Sequence, residues 1–298
     1  MAAATPIRNP IGANTWIWVS PPTDELLAAL APKIREWGFD LIELPVERPG
    51  DWDPARTAEL LAGLGLAASV CAVMPPGRDL LVDDEDVVAA TQDYIRSCVD
   101  AAASVGSRVV AGPIYSAVGR FWQLDDHGRD AAIDRLVERL RPLADYAGER
   151  EVRLALEPLN RFETSFLNTA EQALAVVARL GSPACGLLLD TFHMGIEEKD
   201  PAAAIRLAGP HLVHFHACGS DRGSPGADHL DWRAIADALA AIGYDGALCI
   251  ESFTPENQTI ARAAAIWRPL APTQDALATD GLAFLRGLLG SVEAADTL

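Results

Sequence analysis

Four stretches of the chain climb through apolar residues and stop on a side chain that can hold a metal ion: Leu154-Ala155-Leu156-Glu157, Leu187-Leu188-Leu189-Asp190, Val213-His214-Phe215-His216 and Leu248-Cys249-Ile250-Glu251. Short apolar runs between helical segments predict parallel strands buried on both faces, and a closed α/β barrel gathers its chemistry where such strands end. Two Glu, one Asp and one His are therefore expected to converge from four successive strands.

The rest of the chain repeats this rhythm. Strand candidates fall at 11–19, 39–44, 66–73, 107–112, 151–157, 185–190, 211–217 and 246–251, each a short apolar run. Amphipathic, Ala/Leu-rich helices lie between them, among them Thr23 to Trp37, Glu85 to Val105, Asp130 to Ala147, Thr169 to Leu180 and Asp231 to Ile242. Thr169 and Asp231 suit helix N-caps, and Gly38, Gly181 and Gly243 follow helix ends. Strands alternating with helices in this way imply a single (β/α)8 TIM barrel over residues 1–298. Half the residues are hydrophobic, enough to fill such a core. Residues 256–290 add an extra C-terminal helix, broken at Pro269 and Pro272, that is expected to pack outside the barrel or against a neighbouring subunit. Two or four copies per assembly are expected.

Charge and cysteine usage exclude several functions. A formal net charge of −18 repels phosphate backbones and anionic lipid, so neither nucleic acid nor a membrane is an expected partner, and a neutral substrate suits the field better. Five scattered cysteines, Cys71, Cys98, Cys185, Cys218 and Cys249, make no disulfide framework and read as reduced thiols. The opening Met1 to Pro10 lacks a signal-peptide core and no stretch has the roughly 20 apolar residues of a membrane span, which sets a cytoplasmic expectation.

Glu157 is followed by Pro158, which keeps the preceding residue extended and removes a ladder donor, so the strand should end with its carboxylate at the barrel mouth. Asp190, His216 and Glu251 repeat the placement. Three carboxylates and one imidazole make a hard, oxygen-rich site with positions left for substrate oxygens. That set suits one divalent ion per subunit, Mn²⁺ first and Co²⁺ or Mg²⁺ next, rather than a closed structural zinc. His214, two residues before His216, faces the same interior one layer lower and is expected to support the ligands rather than join them.

Polar residues follow each ligand at short range: Asn160, Arg161 and Glu163 after Glu157, His193 after Asp190, Arg222 after His216. They are expected in the loops that follow the strands, where Glu163, His193 and Arg222 could meet the hydroxyls of a polyol. Trp16 and Trp18 on strand one, Tyr115, Trp122 and Phe253 could wall the same mouth, with Trp122 and Phe253 the expected substrate contacts. Core packing is an equal account of Trp16 and Trp18. Glu43 and Glu47, near the end of strand two, are expected to be solvated.

Glu157-Pro-Leu-Asn-Arg-Phe-Glu163, Asp190-Thr-Phe-His193-Met, His216 with Arg222 six residues on, and Glu251-Ser-Phe253 together resemble the ketose 3-epimerase family, the D-tagatose and D-allulose (D-psicose) 3-epimerases of the xylose-isomerase-like barrels. Gly112-Pro-Ile-Tyr115 and Ile266-Trp-Arg268 add to the likeness, which spans nearly the whole chain. The resemblance implies that Glu157, Asp190, His216 and Glu251 ligate the metal. It also implies that Glu163, His193 and Arg222 bind a ketose, and that Glu157 and Glu251 exchange the C3 proton through an enediolate. One departure is Gly219-Ser220-Asp221 before the arginine, where relatives often carry Glu-Cys-Asn or Glu-Asn-Asn.

An aldose–ketose or hydroxypyruvate isomerase on the same barrel is the nearest alternative, and Arg161-Phe162-Glu163 favours the epimerase over it. An apurinic-site endonuclease would need more His ligands and a basic groove. A non-catalytic sugar-binding barrel gives no reason for two convergent glutamates beside a metal.

Overall fold

Strands that are apolar on both faces need a filled interior on one side and helices on the other, and the fold supplies both. The computed structural model describes residues 9–295; Met1 to Arg8, most of the stretch read for a leader, lies outside the described residues. Eight parallel strands run in chain order: β1 (Ile11–Asn14), β2 (Leu41–Val46), β3 (Ala67–Ala72), β4 (Val109–Gly112), β5 (Arg153–Leu156), β6 (Cys185–Asp190), β7 (Leu212–Ala217) and β8 (Leu248–Ile250). The barrel closes where β1 meets β8 through Ile11↔Leu248 and Gly12↔Cys249.

Helices α1 (Asp24–Trp37), α2 (Pro54–Leu64), α3 (Glu85–Ser104), α4 (Asp126–Gly148), α5 (Ala170–Leu180), α7 (Pro201–Ala208) and α8 (Trp232–Ala241) form the outer layer, with the short α6 (Thr191–Glu197) directly after β6. After β8 come α9 (Gln258–Ala263) and α10 (Gln274–Ala295); α10 returns to pack on α8, β1 and β8, outside the barrel. Local chemistry sets these boundaries. Thr169 and Gln172 form a reciprocal capping box at α5, Asp231 accepts the Ala234 N–H at α8, and Gly38 and Gly181 end α1 and α5 in left-handed turns. Among the described residues no helix is long and apolar enough to cross a membrane, and all five cysteines are free and buried.

Alternation along the strands divides the interior into layers. Glu157, Asp190, His216 and Glu251 stand at the mouth; two residues below them on the same strands lie Ala155, Leu188, His214 and Cys249. Val109, Ala111, Ala155 and Leu188 make a small apolar cluster inside the barrel, separate from the main core between strands and helices.

Three sequence expectations change. Strand one stops at Asn14 rather than 19, because the Asn14 side chain accepts the Trp16 N–H at 2.9 Å and turns residues Thr15–Ile17 into a 3₁₀ turn. Trp16 and Trp18 thus do not share a strand face: Trp16 lines the mouth, while Trp18 stacks on Trp37 at 5.5 Å. Glu43, expected in solvent, is fully buried, since β2 continues to Val46 and leaves position 43 mid-strand and inward. His193 lies in the first turn of α6 rather than in a loop, because Asp190 caps that helix as soon as β6 ends.

Candidate metal centre and substrate cavity

The four strand-end residues come from the neighbouring strands β5 to β8. Asp190 and His216 are paired directly across the ladder, helped by a register shift near Leu187 and Leu188. Glu157 and Glu251 sit one residue beyond their strands. One ligating atom from each of the four lies within 4.8 Å of all the others, and all four side chains are buried. His216 Nδ1 is 3.4 Å from Glu251 Oε2 and 3.7 Å from Asp190 Oδ2.

Two observations fit this set to a cation. Glu157 Oε1 and both His216 nitrogens are buried without a hydrogen-bond partner, and Glu157 Oε1 and His216 Nδ1 face the centre, a costly arrangement unless a ligand takes up their lone pairs. Three buried carboxylates also face a single guanidinium, Arg222, whose Nη1 lies 2.6 Å from Asp190 Oδ2 and 3.0 Å from Glu251 Oε2. A divalent ion would balance the remaining negative charge.

The carboxylates are not equivalent. Burial first, and the facing Glu251 next, push Glu157 well above the usual carboxylate range. Burial pushes Glu251 up as well, but His216 and Arg222 outweigh it and hold Glu251 below that range. Burial and then the Arg222 charge keep His193 well below the ordinary imidazole value, so its ring is neutral.

Around the centre lies a cavity of about 430 Å³, within the usual range for small-molecule sites. Glu163, His193, Arg222 and Phe253 line it with Glu157, His216 and Glu251, and Asp190 lies just beneath. Its outer wall is apolar: Trp16, Met74, Val118, Phe162, Ile260. His193 Nδ1 accepts the Asn160 backbone N–H at 3.1 Å, which leaves the ring proton on Nε2. That Nε2 lies 3.6 Å from Glu157 Oε1 and 2.9 Å from Arg222 Nη2, whose N–H is aimed at it. Asn160 Nδ2 also donates to Glu163 Oε1 at 2.8 Å.

Arg222 owes its aim to a tight turn. Its N–H donates to the Gly219 carbonyl at 2.9 Å, the Gly219 N–H donates to the Gly223 carbonyl at 2.9 Å, and Arg222 itself has φ 66°. A Cβ on residue 219 would lie 2.9 Å from the Ser224 carbonyl oxygen and 3.0 Å from that of Gly223, so glycine is what this turn admits. The departure noted before the arginine is thus a change in loop packing.

Trp122 is placed apart from the other residues expected to touch substrate. Its ring stacks on Phe166 at 5.6 Å and takes the Arg120 guanidinium at 4.1 Å, and it is not among the residues lining the cavity. Arg120 is held in turn by the buried Asp79 at 2.9 Å, which ties the loops after β3 and β4 together. Tyr115 is fully buried and donates to the Glu157 carbonyl at 2.9 Å, supporting the ligand's backbone. Glu47 accepts from Trp16 Nε1 and Ser20 Oγ, at 2.8 and 2.6 Å. The residue that reading by pattern missed is Glu43. Its signal was present: a lone carboxylate inside the apolar run Leu41-Ile-Glu-Leu-Pro-Val46.

Comparison with known proteins identifies the family and the fold. Residues 31–286 match the family model described as xylose isomerase-like TIM barrel. The chain is 38% identical over 277 residues to an L-ribulose 3-epimerase of Mesorhizobium japonicum, covering 92% of each, and 36% identical over 278 residues to a probable ketose 3-epimerase of Synechocystis sp., covering 92% of this chain and 95% of that one. A solved L-ribulose 3-epimerase structure superposes with a TM-score of 0.90 at 34% identity over 97% of both chains. The chain belongs to the ketose 3-epimerase family of xylose isomerase-like TIM barrels, a family of isomerases.

Proposed function

We propose that this protein epimerises free, unphosphorylated ketoses at C3 by way of an enediolate, with one divalent ion held by Glu157, Asp190, His216 and Glu251. The observation that carries the reading is the pair Glu157 and Glu251: two buried carboxylates entering one cavity from the separate strands β5 and β8. Removing a hydrogen from one face of C3 and returning one to the other needs a base and an acid on separate elements, and two carboxylates on separate strands can supply both. A bound Mn²⁺, Co²⁺ or Mg²⁺ would supply electrostatic stabilisation for the negative charge that develops on the sugar oxygens.

The remaining roles follow from hydrogen-bonding capacity. His193 and Arg222 line the cavity side by side as polar groups for the sugar oxygens, while Glu163, held by Asn160, can accept a hydrogen bond from a hydroxyl. Among the residues lining the cavity Arg222 is the sole cation, and it is already paired with Asp190 and Glu251, which leaves nothing to neutralise a phosphate. Phe253 and the apolar outer wall would cover the far end of the sugar and limit water access.

Turnover of a panel of five- and six-carbon ketoses in deuterated water tests the proposal. The expected result is solvent deuterium at C3 of the product. Deuterium at C1 would mean aldose–ketose isomerisation, and product without deuterium would exclude the two-carboxylate scheme.

A further inference from the structure

Glu43 is the most heavily engaged carboxylate in the barrel interior. Its Oε1 accepts from Asn14 Nδ2 at 3.0 Å and lies 2.8 Å from His216 Nε2; its Oε2 accepts from Ser69 Oγ at 2.8 Å and lies 2.6 Å from His214 Nε2. The residue is wholly inaccessible to solvent. Glu43, His214 and Cys249 lie close enough to be mistaken for a second metal site, yet each Glu43 oxygen already faces two donor groups. The cluster is a hydrogen-bond hub.

His216 therefore sits between two sets of oxygens: Glu43 below at Nε2, Glu251 and Asp190 above at Nδ1. A neutral imidazole carries one proton. Nε2 lies 2.8 Å from Glu43 Oε1 without hydrogen-bond alignment; a proton there faces the carboxylate and leaves the Nδ1 lone pair facing the mouth. On Nδ1 it would point at the ligand carboxylates and set the Nε2 lone pair against a carboxylate oxygen in a dry interior. We propose that Glu43 is a positioning residue that holds His216 in the Nε2–H tautomer and so makes Nδ1 the nitrogen offered to the metal. Asn14 extends the device, since its Nδ2 lies 3.4 Å from Glu251 Oε1 while donating to Glu43, leaving Glu251 Oε2 for the centre.

This inference rests on the metal site proposed above, and the tests separate the two. Wild-type protein and Glu43→Gln are titrated with Co²⁺, and the visible spectrum of the bound ion is recorded. A glutamine keeps the volume but presents an N–H to one imidazole N–H, so the Co²⁺ dissociation constant should rise about 10–100-fold, the usual effect of losing an outer-shell partner, and the spectrum should change. A folded Glu43→Gln with wild-type affinity and an unchanged spectrum overturns the proposal. A wild type that takes up no Co²⁺ overturns the metal site itself and this inference with it. Because the variant could fail to fold, the tautomer is also read directly in wild-type, Mg²⁺-loaded protein with ¹⁵N-labelled histidine. The expected pattern is a proton on His216 Nε2 and none on Nδ1; a protonated Nδ1 overturns the proposal.

Discussion

Two groups of acidic, histidine and thiol side chains stand one layer apart inside this barrel, and they differ in what their neighbours leave undone. In the lower group the Glu43 oxygens are met by Asn14, Ser69 and His214, so both are satisfied within the protein. In the upper group Glu157 Oε1 and His216 Nδ1 have no hydrogen-bond partner. Composition alone would rank the two alike as metal-capable. The distinguishing property is unspent hydrogen-bonding and coordinating capacity, which a fold keeps only where a ligand can use it.

The largest effect that would break this contrast lies in the upper group. Glu251→Gln and Glu157→Gln each keep a neutral oxygen in place but remove a proton acceptor. Epimerisation should fall about 10²–10⁴-fold for each, as for other positioned acid–base groups. Metal content by elemental analysis should stay close to that of the wild type under saturating metal. Turnover within threefold of wild type in either variant would show that the carboxylate is not an exchanging group.

A smaller effect separates the layers directly. Chelation should abolish activity, and Mn²⁺ at 100 times its dissociation constant should raise stability by about 2.7 kcal/mol through binding to the folded state alone. Cys249→Ala removes a buried thiol from the lower group and should lower the baseline by about 1–2 kcal/mol. The metal-dependent increment should be the same as in the wild type. An increment that disappears in Cys249→Ala would move the metal down one layer.

The same contrast explains how much of the molecule could be read from its residues. The closed eight-stranded barrel and its outer C-terminal helix follow from period and capping, because strands buried on both faces leave a plain apolar signature at Leu187-Leu-Leu189 or Leu154-Ala-Leu156. The convergence of Glu157, Asp190, His216 and Glu251 was legible because each interrupts such a run at its end. Glu43 showed only as a lone carboxylate inside an apolar run; what makes its burial tolerable, partners from β1, β3 and β7, is distant in sequence. Trp122, expected at the substrate, packs away from the cavity lining: its stacking on Phe166 is tertiary, and only Arg120 among its partners stands near it in sequence.

The smallest effect is electrostatic and belongs again to the upper group. Burial, then Arg222 and His216, hold His193 well below its ordinary value of 6.5. The unfolded chain takes up a proton on this ring as pH drops through about 6.5, whereas the folded protein does not, so the unfolded state binds more protons and stability falls as the solution is acidified. One such proton gives a slope of at most about 1.4 kcal/mol per pH unit, which begins below pH 6.5 and continues down toward the depressed folded value. His216 works in the other direction: burial alone would lower it, but Glu43 and Glu251 together raise it well above 6.5. Its contribution is complete below that value and is lost as pH rises toward the folded one. Chelator-treated protein should therefore show greatest stability near pH 6.5 as far as these two rings decide it. Glu157, held well above the usual carboxylate range, opposes this slope between pH 5 and 6.5, so the His193 contribution is read as a difference: the urea midpoint of the wild type minus that of His193→Asn should climb from pH 5 through 5.75 to 6.5. A difference that stays constant with pH would place the titrating group elsewhere.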